Sequence, residues 1–373
     1  MASRIKEKYM AGKRYFDYPM LFLVIFLICF GMVMVYSTSS YKSMMTYGNS
    51  WHWVFRQGFA IVLGIIIMVI ECVWLDYRIL DNNKIALLSW AFSAGLLVVV
   101  LLVGAAKKGS VRWISLGIIQ FQPSEVSKAL IVLYLARALS VNAHRLKTFK
   151  DHLIVVGPTV PIIILVFTQN LSTALVLCAM VGVMTFVVSP RTRELVIAAG
   201  ILVGAVVVYL VTGSSYRNER LQIWLHPETH KKGFQTMQAL YAIGSGGIFG
   251  KGLGQSMQKM GFIPESHNDM IFSIICEELG LFGAVCLILV FIALVWRMLL
   301  IAMNTDNLFG SLIVIGYMTH IAFQVFVNIA VVTNTIPPTG IPLPFISYGG
   351  TSLTVLMAEM GLVLSISKRI RLG

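Results

Sequence analysis

Ten long apolar stretches run through this chain of 373 residues, and they constrain its fold more than any other feature. Most approach the ~20 residues that a helix needs to cross the hydrocarbon core of a bilayer. The stretches are residues 20–36, 53–74, 85–104, 126–139, 153–167, 171–188, 195–211, 270–300, 309–332 and 352–366. We therefore predict an all-α integral membrane protein, a polytopic bundle of ten transmembrane helices. Because the fourth and fifth stretches are short, we expect tilted helices or displaced boundaries there.

Composition and charge support this class and exclude others. Hydrophobic residues make up 57% of the chain and charged residues 12%, which is typical of a membrane protein. The net charge of +13 comes from basic residues scattered at the ends of the apolar stretches. That distribution indicates anionic lipid headgroups as the partner and not nucleic acid. The five cysteines all fall inside apolar stretches without metal-ligand spacing, so we predict neither disulfides nor a metal site for them.

The basic residues also predict an orientation, since Lys and Arg near membrane spans favour the cytoplasmic side. Both termini, residues 1–18 and 367–373, are predicted to be cytoplasmic in a multi-pass protein of the plasma membrane that forms a single domain. The long polar segment 212–269, between the seventh and eighth helices, is then extracytoplasmic. Within it, residues 235–242 suit a short interfacial helix. The glycines that follow fit either flexible turns or a backbone cradle for an anion.

An acidic residue, Asp269, lies where the eighth apolar stretch begins. An ionisable side chain at such a place is a functional candidate by default. The alternative is that Asp269, or Asn268 beside it, only caps the helix that follows.

Two further polar features lie within or between apolar stretches. Glu125 and Lys128 are three residues apart and share one helical face, as either a self-neutralising ion pair or a substrate-facing pair. Between the ninth and tenth stretches, IPPTGIPLPFISYGGTSL contains four prolines, which exclude a regular helix. Irregular backbone at membrane depth is tolerated where protein or a water-filled cavity surrounds it. We therefore predict that this segment forms a cavity wall.

Four long motifs carry a resemblance to a known family. They are RWISLGIIQFQPSEVSKAL, NERLQIWLHPE, GLGQSMQKMGFIPESHNDMIFSIICEELG and TGIPLPFISYGGTSL, in this order over nearly the whole chain. Together with ten apolar stretches they resemble the SEDS proteins, the family of FtsW, RodA and SpoVE. The GLGQSMQK form is closest to the FtsW and SpoVE branch.

The resemblance implies a peptidoglycan glycosyltransferase that polymerises lipid II and releases undecaprenyl pyrophosphate for septal cell-wall synthesis in division. Asp269, in the PESHND segment, would be the catalytic general base. The resemblance also implies a class B penicillin-binding protein transpeptidase and other division proteins of the membrane as partners. The alternatives are an elongation polymerase of the RodA type, a spore-cortex polymerase of the SpoVE type, or a lipid II flippase.

The leaving pyrophosphate requires positive charge, for which the candidates are Lys128, Arg217, Arg220, Lys251 and Lys259. His267 and Glu277 are further substrate-binding candidates, although a polar contact for His267 and a structural ion pair for Glu277 stay open. No tightly bound cofactor is expected, and a divalent cation, Mg²⁺ or Mn²⁺, could be shared with the substrate.

One position departs from the family pattern. Many members read QPDLGT before the sixth span, whereas this chain has Asn170 in place of the acidic residue. This argues against proton transfer at Asn170, although asparagine can still cap a helix.

Overall fold

The computed structural model describes residues 16–103, 105–107, 110–116, 119–211, 215–230, 233–264 and 266–370. Its helices are α1 (Tyr18–Tyr47), α2 (His52–Val73), α3 (Asn83–Val103), α4 (Pro123–Asn142), α5 (Phe149–Val156), α6 (Val160–Gln169), α7 (Leu171–Val188), α8 (Thr192–Val211), α9 (Ser215–Leu225), α10 (Phe234–Ser245), α11 (Ile271–Met303), α12 (Leu308–Val332) and α13 (Gly350–Ser367). Within the described residues, nine spans are long and apolar enough to cross a membrane. The polytopic helical fold is therefore confirmed. The stretch 195–211 forms most of α8, many of whose side chains lie outside the described part of the chain.

The two short stretches are explained by proline. The fourth span begins at Pro123, earlier than its apolar stretch, because proline suits the first turn of a helix, where no hydrogen-bonded N–H is required. The fifth span consists of α5, a 3₁₀ turn at Gly157–Thr159 and α6. Prolines at 158 and 161 begin these last two elements. Both spans are therefore of ordinary length, and the predicted boundaries were displaced.

A small antiparallel sheet, which the apolar pattern did not predict, precedes α4. Its strands are β1 (Ala105–Lys107), β2 (Ser110–Leu116) and β3 (Ile119–Phe121), in the order β1-β2-β3. The strands β1 and β3 have three residues each, too short to show alternation in sequence, and the alternation of β2 breaks where Trp113 and Ile114 are both apolar. The sheet is tied to the helical bundle by Thr351, whose hydroxyl donates to the carbonyl of Gln120 at 2.9 Å.

The core of the bundle is built around α12 and α13. Within each, 72% of the most apolar window is buried, compared with 22% for α2. Helix α12 packs against α4, α7 and α11, and α13 runs along α2. The polar side chains of α12 are therefore held in fixed surroundings, while α2 turns much of its surface outward.

The described residues of the segment 212–269 contain two helices, α9 and α10. A helix is present at the predicted residues 235–242 as α10, and its interfacial position stays a prediction. Between α10 and α11 runs a loop rich in glycine, and we call residues 246–262 the clamp loop because it packs against α11. Helix α11 is interrupted at Gly280, whose backbone has φ 66° and ψ −169°.

Candidate functional site

Asp269 lies in the turn that precedes α11, and its side chain is partly buried. The N-cap of α11 is Met270, which makes no side-chain cap, so neither Asn268 nor Asp269 occupies the N-cap position. The carbonyl of Asp269 accepts a hydrogen bond of 2.8 Å from the Asn328 side chain. Its carboxylate faces Gly340, where an added Cβ would lie 3.9 Å from Oδ2. The turn therefore presents the carboxylate to the proline-rich segment.

The proline-rich segment, residues 333–349, is joined to the Asp269 turn by hydrogen bonds. Asn328 also donates to the carbonyl of Ile341 at 2.8 Å. The Ser347 hydroxyl donates to the carbonyl of Asn268 at 2.7 Å. The amide of Tyr348 donates to the carbonyl of His267 at 2.9 Å. The two irregular segments thus hold each other in place.

A small polar cavity lies beside Gly340, with a volume of about 30 Å³, room for a water molecule or two. Its lining is Gln122, Glu125, Lys128, Asn170, Thr173, Val176, Gln324, Gly340, Ile341 and Pro342. Because Gly340 contributes to this lining and also faces Asp269, the cavity adjoins the Asp269 turn. The predicted cavity wall is therefore present.

Glu125 and Lys128 form an ion pair at 2.9 Å within this lining. Both side chains are at least 95% buried. The two alternatives for this pair are thus compatible, because the charges neutralise each other and also face the cavity. A buried pair of this kind costs desolvation energy, and its place in the cavity lining makes it a candidate for contact with substrate.

Asn170 caps a helix, as its position in the sequence allows. Its side chain accepts a hydrogen bond of 3.1 Å from the amide of Ser172 and caps the N-terminus of α7. It also lines the cavity beside Lys128. Asparagine at this position therefore keeps the local structure without adding a further carboxylate.

Arg220 reaches the same region from α9. Its Nη1 donates to the carbonyl of Pro338 at 3.3 Å. One turn further along α9, the indole of Trp224 donates to the carbonyl of Asn334 at 3.0 Å. Helix α9 is thereby attached to the proline-rich segment. The side chain of Arg217 lies outside the described residues.

His267 is buried in an aromatic cluster. Its ring centroid lies 5.1 Å from that of Trp53 and 5.8 Å from that of Tyr348. Burial raises the pKa of Tyr348, so this side chain stays a neutral phenol at neutral pH. These ring contacts position His267, while its polar-contact alternative and its substrate-binding role both stay predictions.

Lys251 and Glu277 belong to a different cluster. Lys251 Nζ lies 2.7 Å from a carboxylate oxygen of Glu277, which also accepts from the hydroxyl of Ser256. These contacts join the clamp loop to α11. The structure shows the ion-pair alternative for Glu277, and it does not place this pair in the lining of the cavity beside Gly340.

Two polar residues of the site were missed by the sequence analysis. Gln324, whose side chain donates to the carbonyl of Pro342 at 3.2 Å, and Asn328 are one helical turn apart on α12. Their spacing of four within an apolar stretch places them on one face, and this was the available signal. Across the described part of the chain, no group of three or more His, Cys, Asp or Glu residues could hold a metal ion.

Comparison with known proteins identifies the family. Residues 18–372 match the sequence model of the cell cycle protein family of FtsW, RodA and SpoVE. The chain belongs to this family. The probable peptidoglycan glycosyltransferase FtsW of Geobacter sulfurreducens is 35% identical over 360 residues, which are 95% of this chain and 96% of the relative. Stage V sporulation protein E of Bacillus subtilis is 35% identical over 356 residues, 94% of this chain and 97% of the relative.

Solved structures of the family have the same fold. RodA of Thermus thermophilus aligns with a TM-score of 0.70 and 27% identity, covering 98% of this chain and 100% of RodA. A chain from a peptidoglycan synthase complex, described as coordinating polymerization and crosslinking, aligns with a TM-score of 0.79 and 29% identity. That alignment covers 94% of this chain and 97% of the other. The resemblance noted from the sequence is therefore confirmed.

Proposed function

We propose that this protein is a peptidoglycan glycosyltransferase that polymerises lipid II into glycan strands and releases undecaprenyl pyrophosphate. The observation that carries the proposal is the Asp269 carboxylate facing Gly340, next to a cavity lined by Glu125 and Lys128. This arrangement provides a proton acceptor next to a buried cation. Membership of the family and the names of the curated relatives support the same activity.

In the proposed reaction the acceptor sugar hydroxyl attacks the anomeric carbon of the donor. A new C–O bond forms, the bond from that carbon to the pyrophosphate oxygen breaks, and Asp269 accepts the hydroxyl proton. A carboxylate at hydrogen-bonding distance from a reacting hydroxyl contributes about 10²–10⁴-fold to such a step. The proton then leaves to water.

The leaving pyrophosphate gains negative charge as its bond breaks, and fixed positive charge nearby lowers the barrier. Lys128 offers a preorganised ammonium, because its pairing with Glu125 and its burial fix its position. Arg220 is held at the edge of the same region through Pro338. We assign pyrophosphate stabilisation to these two side chains.

A divalent cation would bind at this site only together with the substrate. The described residues around Asp269 include no cluster of carboxylates that could hold an ion alone. An ion would then be bound mainly by pyrophosphate oxygens, where it would neutralise charge. No step of the proposed reaction depends on it.

Septal synthesis is the cellular role that we propose, with a class B penicillin-binding protein and other division proteins as partners. The FtsW relative supports the division role, and the structural match to a synthase complex supports a crosslinking partner. The equal identity to a sporulation protein keeps cortex synthesis as the alternative. The predicted orientation, with both termini cytoplasmic, places the Asp269 site outside.

One observation favours the flippase as a second candidate. His320 and Glu359 form a fully buried contact of 2.8 Å in the middle of α12 and α13. An enzyme that acts at the outer face of the membrane needs no polar pair in the middle of its spans. Intramembrane acid–histidine pairs do occur in transporters. A flippase would move fluorescent lipid II across a vesicle bilayer without forming polymer.

The deciding experiment is polymerisation of purified lipid II in liposomes by the natural protein and by Asp269→Asn, each with and without the crosslinking partner. We expect Asp269→Asn to lower the rate at least about 100-fold because it removes the base. Asp306→Asn is the matched control, since Asp306 is exposed in the loop between α11 and α12. Undiminished polymer from Asp269→Asn would remove Asp269 from the mechanism.

A further inference from the structure

The interruption of α11 at Gly280 is completed by backbone from the clamp loop. The amides of Leu281 and Phe282 donate to the carbonyls of Gly247 and Ile248 at 2.9 and 3.0 Å. In the other direction, the amides of Lys251 and Gly252 donate to the carbonyls of Glu277 and Glu278, also at 2.9 and 3.0 Å. A continuous helix would join these four groups of α11 in two internal hydrogen bonds, and here they make four hydrogen bonds to the loop instead. This fixes the loop against α11.

The contact is so close that neither side can carry a side chain. A Cβ added to Gly250 would lie 2.6 Å from the amide nitrogen of Gly280, and one added to Gly280 would overlap the backbone of Ile248. Both glycines also have positive φ, which other residues rarely adopt. Glycine is therefore required on both sides of this contact.

The side chains next to this contact are apolar and point outward. Ile248 is 64% exposed and Phe249 is 81% exposed. Leu281 and Phe282, to whose amides the loop is hydrogen-bonded, are 61% and 64% exposed. The four side chains come from adjoining backbone, so the apolar surface of the loop continues the outward surface of α11. Further apolar side chains of the clamp loop are exposed as well, namely Leu253, Met257, Met260 and Phe262.

Two helices place this surface at one boundary of the bilayer. Arg297 on α11 and Asp17 at the start of α1 form an ion pair of 2.7 Å. At the other end, the Ser37 hydroxyl of α1 donates to Glu278 of α11 at 2.7 Å. The two contacts are separated by about 20 residues along α1 and by about 19 residues along α11. At about 1.5 Å per residue, either separation corresponds to roughly 30 Å. This equals the thickness of a hydrocarbon core.

Since charged and polar contacts mark both ends of this interval, Glu278 lies at one boundary, which is the outer one in the predicted orientation. Leu281 and Phe282 follow Glu278 toward the middle of the bilayer. The loop residues bonded to them lie at the same level. At this level the exposed aromatic and aliphatic side chains are stabilised by contact with lipid, whereas contact with water would be unfavourable.

We propose that the clamp loop is inserted into the outer leaflet, with Ile248 and Phe249 among the lipid acyl chains. Lys251, which is one-third exposed, then lies at the level of the anionic headgroups. The buried pair of Lys259 and Glu278, 2.7 Å apart, lies behind the inserted tip. The occupant of this apolar surface is thus the bilayer itself.

A consequence, which rests on the proposed function, concerns the level of Asp269 relative to the membrane. The clamp loop holds the first part of α11, residues 271–279, and Asp269 comes directly before this part. Anchoring the loop in lipid therefore fixes the level of Asp269 relative to a pyrophosphate that is itself attached to a membrane lipid. Ile248 and Phe249 act here as positioning residues.

Spin labelling tests the insertion directly and does not depend on activity. Phe249→Cys and, as control, Thr229→Cys are made in a protein whose five cysteines are replaced by alanine. Thr229 is exposed in the turn between α9 and α10 of the same extracytoplasmic segment. Each labelled protein is reconstituted in vesicles of phosphatidylethanolamine and phosphatidylglycerol. Collision of the label with oxygen and with a water-soluble nickel chelate is then measured.

We expect the label at 249 to collide several-fold less with the nickel chelate, and more with oxygen, than the label at 229. Equal collision of both labels with the nickel chelate would overturn the proposal. Protection of position 249 only after addition of the crosslinking partner would also overturn it, since the surface would then belong to a protein interface. If the cysteine-free protein does not fold, Phe249→Cys and Thr229→Cys are made in the natural background. Their rates of reaction with a membrane-impermeant maleimide then give the same comparison.

Polymerisation tests the positioning role separately. The pair of changes Ile248→Ser and Phe249→Ser is expected to lower polymerisation several-fold in vesicles but much less in detergent micelles, which have no fixed bilayer plane. Equal activity of the changed and natural proteins in vesicles would remove the positioning role. The insertion would still be decided by the labels, so failure of the proposed function and failure of the insertion are distinguishable.

Discussion

Two Lys–Glu pairs of similar geometry lie in this molecule in different surroundings. Glu125 and Lys128 are 2.9 Å apart beside the cavity at Asp269, and Glu278 and Lys259 are 2.7 Å apart beneath the clamp loop. All four side chains are almost completely buried. The first pair faces a cavity, whereas the second is enclosed by protein and shares the hydroxyl of Ser37.

The difference shows that burial and ion pairing alone do not identify a binding site. Removal of one partner from either pair leaves an uncompensated buried charge, which costs about 3–5 kcal/mol. Loss of stability therefore cannot tell the pairs apart. The two pairs are expected to differ in a double variant that removes both charges: polymerisation should return at the clamp pair and should not return at the cavity pair.

The largest effect is expected at the cavity. Lys128→Met should destabilise the protein by about 3–5 kcal/mol, because Glu125 is left buried without its cation. It should also abolish polymerisation of lipid II. The double change Glu125→Gln with Lys128→Met should restore most of the stability and none of the activity. Thermal unfolding in detergent and polymerisation in liposomes measure the two effects, and recovery of activity in the double variant would make this pair purely structural.

At the clamp, the same design should give the opposite result for activity. Lys259→Met should again cost about 3–5 kcal/mol of stability, because Glu278 loses its cation. Adding Glu278→Gln removes the buried charge, so both the melting temperature and polymerisation should largely recover. Persistent inactivity of a stable double variant would show that this pair contacts substrate.

A smaller effect is expected from Gly280→Ala, which separates the loop from α11. The added Cβ overlaps the backbone of Ile248 and requires a positive φ, so we expect a loss of about 2 kcal/mol. Gly95→Ala is the matched control, because nothing lies within 4 Å of its added Cβ. Proteolysis of the clamp loop should accelerate in Gly280→Ala alone. Equal protease resistance of the two variants would contradict the clamp.

The smallest effect is expected from Lys251→Ala. This lysine is one-third exposed, and exposed pairs contribute about 1 kcal/mol or less. Glu277 keeps its hydrogen bonds from the Ser256 hydroxyl and the Met257 amide. The melting temperature and the polymerisation rate should therefore change little. A large loss of activity at unchanged stability would instead support the pyrophosphate contact predicted from the sequence.

The parts of this molecule that were predictable follow from local rules. Membrane-length apolar stretches predict spanning helices, and the spacing of Glu125 and Lys128 correctly places them on one face. The prolines correctly predict an irregular cavity wall. The resemblance in long motifs singles out Asp269, whose catalytic role stays a prediction.

The rest depends on contacts between distant parts of the chain. Nothing local indicates that Gly250 meets Gly280, since each glycine alone fits an ordinary turn. The pairing of Lys251 with Glu277 and of Arg220 with Pro338 likewise requires the folded segment 212–269. Sequence spacing could group Gln324 with Asn328, but only the fold shows which carbonyls they reach.

The prolines of the segment 333–349 have one further effect, on insertion into the membrane. An irregular backbone in a dry environment is penalised for each N–H that finds no acceptor. Pro337, Pro338, Pro342 and Pro344 carry no N–H, and the carbonyls of Pro338 and Pro342 accept from Arg220 and Gln324. The segment can thus leave the helical conformation inside the membrane with few donors to satisfy.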